Sequence, residues 1–226
     1  MVIEGFKAIY ETTTSIIDSF IGYIELLAIN AAGAVHITAT HQRPLSTGRI
    51  YINSANPFDA PVIDPGYPEH CADVAVMREG LELARKLGET EPLKRIMTAE
   101  TAPGLVTQSN EAWEAWMRGQ IGTEFHPSSS CAMLPKALGG VVDDANLRVH
   151  GFTTVRVGNA SGLPIVFSAY MMANTYSLAE QALTLIRNFH NGGSADGGSN
   201  GGLREWLAQR RQRRSCTIFM QLYACM

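Results

Sequence analysis

Residues 140–183 read GVVDDANLRVHGFTTVRVGNASGLPIVFSAYMMANTYSLAEQAL. Short apolar runs broken by glycine give way to a longer stretch with no glycine or proline. Thr153–Val157 reads as a short strand, because Val155 and Val157 fall on one face of a period-two pattern. Ala173–Asn188 reads as a helix, because Leu178, Ala182 and Leu185 recur at spacings of four and three.

Working upstream, Glu111–Arg118 reads as a short helix bearing Trp113 and Trp116. From Asp73 to Leu87 the spacing of Val74, Met77, Leu81 and Ala84 predicts another helix, stopped by Gly88. Ala34–Ala39 and Arg49–Asn53 alternate as strands, with Ile50 and Ile52 sharing a face, and Pro57 and Pro61 break regular structure beyond them. The most apolar stretch, Ile16–Ala34, contains Asp18, Glu25 and Asn30, which are costly at the centre of a bilayer. It is read as core, with no membrane span. Strands and helices that do not strictly alternate predict an α+β fold. Its sheet should include Arg49–Asn53, with Asp73–Leu87 and Ala173–Asn188 as a two-helix framework.

Composition bounds the function. The chain has 226 residues, 46% hydrophobic and 17% charged, enough for a packed core. A net charge of −3 argues against a nucleic-acid binder. Four scattered cysteines make no disulfide framework, and without a CxxC pair a structural zinc site is not expected. There is no GxGxxG, GxSxG, HExxH or P-loop motif. The N-terminus MVIEGFKAIYETTT has no signal-peptide character, which leaves the cytoplasm as the default compartment. Residues 191–202, NGGSADGGSNGG, read as a flexible linker. The Arg-rich tail 203–226 is expected to be disordered: either a helix for a membrane surface or acidic partner, or an appended segment without a role.

Residues 122–133, GTEFHPSSSCAM, are the most suggestive of chemistry. Pro127 biases His126 toward extended backbone. The small residues after it allow a flat ligand to approach the backbone. An imidazole takes up a proton near neutral pH, so His126 suits a general base; a histidine satisfied in a loop is the plain alternative. His126 with Cys131 falls short of a metal site.

With GVVDDANLRVHG (140–151), TVRVGNASGLP (154–164) and SAYMMANTYSLAEQAL (168–183) following in order, this loop resembles the C-terminal part of the glucose–methanol–choline (GMC) flavoprotein oxidoreductases. The segment PLSTGRIYINSANPFDAPVID (44–64) resembles the family's Pro-x-Ser-x-Gly strand and the Asn/Asp-Pro segment after it. The resemblance spans roughly Pro44 to Phe189.

The resemblance implies an α+β substrate-binding domain: a mixed, largely antiparallel sheet flanked by helices, with a C-terminal remnant of an FAD-binding domain. It implies 1–43 as the end of an incomplete upstream part and 44–190 as the GMC C-terminal domain. It implies FAD as cofactor and a small-molecule alcohol as substrate, in a secondary-metabolism setting. His126 matches the family's base. Tyr170 stands where the family has His or Asn; it either orients the substrate oxygen or marks a degraded pair. Asn159 and Ala160 match the cofactor-side pair, with Asn in place of Asp. Met171 and Met172 follow Tyr170, where family members touch the flavin ring; core packing is their alternative.

The phosphate-binding half has no counterpart here. The chain alone is therefore expected to bind FAD weakly or not at all, and to associate through the surface that half would cover. Three functions stay open: an alcohol oxidoreductase, a non-redox cyclase or dehydratase on the same scaffold, and a non-catalytic domain.

Overall fold

The computed structural model describes residues 2–17, 19, 21–143, 145–168 and 170–191. The expected linker and basic tail lie outside these, apart from Asn191. The chain divides into Met1–Ile186 and a second unit, Arg187–Met226, of which only the final helical turn and Asn191 are described.

The chain opens with helix α1 (Val2–Ile17), followed by strands β1 (Ile24–Ala31) and β2 (Ala34–His41). These two pair antiparallel, from Ile24 opposite His41 to Ala31 opposite Ala34. The two-residue connection places Ala32 at φ 52° and Gly33 at φ 81°. Both angles are positive, the handedness that matches the twist of a tight hairpin. Helix α2 (Cys71–Gly88) packs on this hairpin, chiefly on β2, burying Val74 and Ala84. Helix α3 (Asn110–Gln120) lies on α2 and buries Trp113 and Met117.

One side chain organises the α2–α3 layer. Arg85 makes a two-pronged ion pair with Glu100, Nε and Nη2 each 2.7 Å from a carboxylate oxygen. It also donates to the Thr107 carbonyl at 2.8 Å, and its guanidinium lies 4.2 Å from the Trp113 ring centroid. The planar fork, stacked on an aromatic face, ties residues 100–107 to both helices.

A second anchor sits at the start of α2. Buried Asp73 accepts the Leu45 and Ser46 N–H groups at 2.9 and 2.6 Å and lies 3.3 Å from His41 Nε2. Burial pushes its carboxyl up, but hydrogen bonds from His41, Leu45 and Ser46 outweigh it and hold the group below the usual carboxylate range. The Pro44–Gly48 turn is thereby fixed to β2 and α2.

Strands β3 (Arg49–Tyr51) and β4 (Val62–Asp64) form a separate antiparallel pair, Ile50 opposite Ile63. Helix α4 (Met172–His190) closes the described chain. It packs on irregular backbone, and the core there is Val142, Leu147, Leu163, Met171, Leu178 and Ala182.

The three predicted helices are present, each extended by one or two residues at either end. Other expectations are corrected. Instead of one mixed sheet, the described residues form two separate two-stranded antiparallel sheets. β3 is only three residues long, and the proline-broken loop beyond it returns only as far as β4. Thr153–Val157 is no strand; it keeps one isolated bridge, Arg148 to Arg156. Left-handed backbone at Leu147 and Gly151 brackets the opposing segment and limits the pairing to that bridge. Val155 is correspondingly exposed. Ile16–Ala34 is no core segment: it carries the end of α1 and all of β1, and Ile21 and Ile29 are exposed. Finally, α2 and α4 serve different clusters and do not frame a common sheet. No described helix is long and apolar enough to cross a membrane.

Candidate functional site

Ser109 caps α3, its hydroxyl accepting the Ala112 N–H at 3.2 Å, and the helix ends when Ile121 turns extended. The chain then runs as irregular backbone through residues 122–130. Phe125 has φ 60° and Ser129 φ 69°, so left-handed residues lie on both sides of His126. Neither is glycine, and strain of this kind concentrates at functional sites.

Past His126 the loop is fastened to another segment. Ser129, Cys131 and Met133 donate their N–H groups to the carbonyls of Ala160, Ser161 and Gly162, at 3.4, 2.9 and 2.9 Å. The acceptors form a 3-10 turn capped by Asn159, whose side-chain oxygen accepts the Ser161 N–H at 3.0 Å. Thus the His126 loop and the Asn159–Ala160 segment form one unit.

Tyr170, at φ 70°, precedes α4. Its ring meets the His126 ring edge-on, centroids 5.3 Å apart and planes at 80°. Two residues distant in sequence are brought side by side. His126 Nε2 is buried and has no hydrogen-bond partner. Buried polar atoms are nearly always satisfied, so an orphan imidazole nitrogen calls for a ligand or substrate atom.

The remaining expected residues divide. Asn159 is exposed and Ala160 half-buried in the capped turn. Met171 is committed to the core, and its sulfur accepts the Phe167 N–H at 3.3 Å. Met172, at the first position of α4, is exposed. Of the two methionines, only Met172 presents its side chain outward. No group of three or more His, Cys, Asp or Glu side chains among the described residues could hold a metal ion.

The orphan nitrogen, the exposed Asn159 turn and the absence of any charged side chain from Val157 to Ala179 suit the flat, uncharged end of a flavin. A groove of about 540 Å³ between α1 and the Pro44–Thr47 turn, lined by Phe6, Tyr10 and Leu45 among others, shares no residue with this constellation.

One contact had no sequence signal. Glu124, two residues before His126, accepts the hydroxyl of buried Thr40 on β2 at 2.6 Å. The left-handed backbone at Phe125, Ser129 and Tyr170 was equally invisible, since no glycine or asparagine marks those positions.

The profile of the GMC oxidoreductase family matches residues 44–179. The chain is 43% identical over 180 residues to the GMC oxidoreductase family protein Mala s 12 of Malassezia sympodialis, covering 80% of this chain and 29% of that protein. It is 33% identical over 153 residues to the dehydrogenase mpl7 of Monascus purpureus, covering 67% of this chain and 24% of that one. Among solved structures, an FAD-dependent oxidoreductase from Chaetomium thermophilum superposes with a TM-score of 0.75 at 28% identity, over 84% of this chain and 32% of that chain. The chain therefore spans less than a third of the length of each of these three relatives.

Proposed function

The chain belongs to the GMC oxidoreductase family, and on that premise we propose that it supplies the base and the substrate-facing surface of an FAD-dependent alcohol oxidoreductase. The observation that carries this reading is the His126–Tyr170 pair, with His126 Nε2 buried and unsatisfied. An alcohol hydroxyl placed against Nε2 satisfies that nitrogen in the ground state. As reaction proceeds, the hydroxyl proton moves onto Nε2, and the carbon–hydrogen bond of the resulting alkoxide-like substrate weakens. The chemistry that bound FAD supplies is two-electron oxidation of the substrate carbon.

Tyr170 replaces a family His or Asn. A phenol ionises near pH 10, so its part is to donate a hydrogen bond to the substrate oxygen and leave proton removal to His126. Asn159, Ala160 and Met172 would line the cofactor side, with Met171 fixing Met172 and Tyr170 from beneath. Asn159 contributes shape and a capped turn without a carboxylate's charge. The segments that meet at His126 carry no ionic side chain from Val157 to Ala179, and Glu124 is already engaged by Thr40. This favours an uncharged alcohol over a cationic one. The likeness to the Monascus dehydrogenase supports a substrate from secondary metabolism. The working boundaries are 1–43 as an upstream segment, 44–190 as the family's C-terminal domain, and 191–202 and 203–226 as linker and tail.

The test uses flavin-loaded protein containing residues 1–226. Under anaerobic conditions a substrate alcohol should bleach the visible flavin absorbance. His126→Ala should slow bleaching by about 10²- to 10⁴-fold, the usual contribution of a general base. Bleaching at the wild-type rate in that variant would refute the assignment.

A further inference from the structure

A base must be held while a proton moves onto it, and the two sides of the His126 loop are held differently. On its C-terminal side, three backbone hydrogen bonds fasten the loop to residues 160–162. From Gly122 to Phe125, among the described residues, the hydrogen bond to a distant part of the chain is the one between Thr40 and Glu124.

Resting on the reading of His126 as the base, we infer that Thr40 and Glu124 are positioning residues, their hydrogen bond fixing the N-terminal side of the His126 loop to the β1–β2 hairpin. At 2.6 Å the bond lies in the range of a hydroxyl donating to a charged carboxylate, among the stronger kinds of hydrogen bond. Thr40 is only 6% exposed, so water competes poorly for it. The donor is itself immobilised. Thr40 is paired to Glu25 across the hairpin. Its neighbour His41, on the opposite face of β2, lies 3.3 Å from Asp73. Asp73 in turn binds the Leu45 and Ser46 N–H groups. A chain of hydrogen bonds thus runs from the Pro44–Gly48 turn and the start of α2, through the end of β2, to the residue two before His126. Phe125, with φ 60° and its N–H bonded to Thr123 Oγ1 at 2.9 Å, makes the bend that converts a fixed Glu124 into a fixed His126.

Thr40→Val removes the donor at nearly constant volume, and Glu124→Ala removes the acceptor. Thr40→Ser and Glu124→Gln each keep a hydrogen bond. The first readout needs no cofactor: the His126 ring resonances of the histidine-labelled 226-residue chain, shifted by the neighbouring Tyr170 ring. Both disruptive variants should broaden these signals and move them toward free histidine, both conservative variants should leave them in place, and His150 should report an intact fold in all four. In flavin-loaded protein containing the chain, the disruptive variants should lower kcat by about 10-fold with little change in KM, as expected for a displaced catalytic group.

If Thr40→Val and Glu124→Ala lower the unfolding midpoint but leave the His126 signals in place, the bond is merely structural and the inference is overturned. If the signals move but His126→Ala leaves turnover intact, the tether stands and the proposed base is wrong.

Discussion

Replacing Gly158 by alanine tests how the site is mounted on α4. A Cβ added at Gly158 would lie 2.7 Å from the Cβ of Ala182. Carbon atoms pack at about 3.5–4.0 Å, so the segment carrying Gly158 and helix α4 must move apart by about 1 Å. Overpacking of this size costs about 1–3 kcal/mol. Gly158 is not in the left-handed region, so alanine also restricts the unfolded chain and returns about 0.4–1 kcal/mol. The net expectation is a loss of about 1–2 kcal/mol, equivalent to a fall in Tm of about 2–8 °C for a chain of this size. Tryptophan fluorescence through urea unfolding would measure it. The diagnostic is a double-mutant cycle. Ala182→Gly alone should destabilise by about 1 kcal/mol from helix propensity, plus the loss of a buried methyl. Combined with Gly158→Ala, which refills that space, the pair should be more stable than the sum of its parts by about 1–2 kcal/mol. Stabilities that add to within about 0.5 kcal/mol would refute the close contact.

Two other perturbations probe the anchors. Asp73→Ala should destabilise by about 1–3 kcal/mol at neutral pH, because it leaves the Leu45 and Ser46 N–H groups without their acceptor. The Asp73 carboxyl is held below its unfolded value of 3.8. Its contribution is therefore complete above about pH 4 and lost as pH falls further, so the gap between wild type and variant in urea midpoints should close in acid. Arg85→Lys should cost about 1–3 kcal/mol, because an ammonium cannot keep both prongs on Glu100 and the stack on Trp113. A thermal melt indistinguishable from wild type would deny Arg85 its organising role.

The helices were legible because an apolar face repeats at helical spacing whatever the helix packs against. Leu178 and Ala182 were read as inward-facing and are buried. α1 was not, and its composition explains why. Thr12, Thr13, Thr14 and Ser15 favour other conformations, yet here their hydroxyls bond back to carbonyls three or four residues earlier, as Thr12 does to Ala8 at 2.7 Å. β1 was hidden within an apolar run that reads equally well as core. The Thr153–Val157 strand failed because alternation over five residues says nothing about how far a partner stays extended; here pairing with 147–149 stops at one bridge. At the site, the juxtaposition of His126 with Tyr170 was legible only through the family pattern; no local spacing encodes it. The Thr40–Glu124 bond joins residues 84 apart, and threonine and glutamate are among the least diagnostic residue types.

The placement of strain follows from how the two site residues are held. Tyr170 sits in the left-handed region immediately before Met171, and Met171 is locked into the core with Leu178 and Ala182, about two and three turns further along α4. Thr175 reinforces the start of the helix, its N–H and hydroxyl both donating to the Met171 carbonyl, at 2.9 and 2.8 Å. The helix cannot relax to free Tyr170 without unpacking that core. On the other side, Ser129 is left-handed where the loop is first fastened to Ala160, and Phe125 where it leaves the Glu124 tether. Each unfavourable φ therefore lies beside an attachment that enforces it. Had either ring been held by its own side-chain contacts alone, the strained backbone would relax and the rings would separate. Held at both ends of the loop and by the first turn of α4, the 5.3 Å approach of the His126 and Tyr170 rings is set by the backbone. The orphan Nε2 stays buried with no protein partner, which is what the proposed role of His126 as base requires.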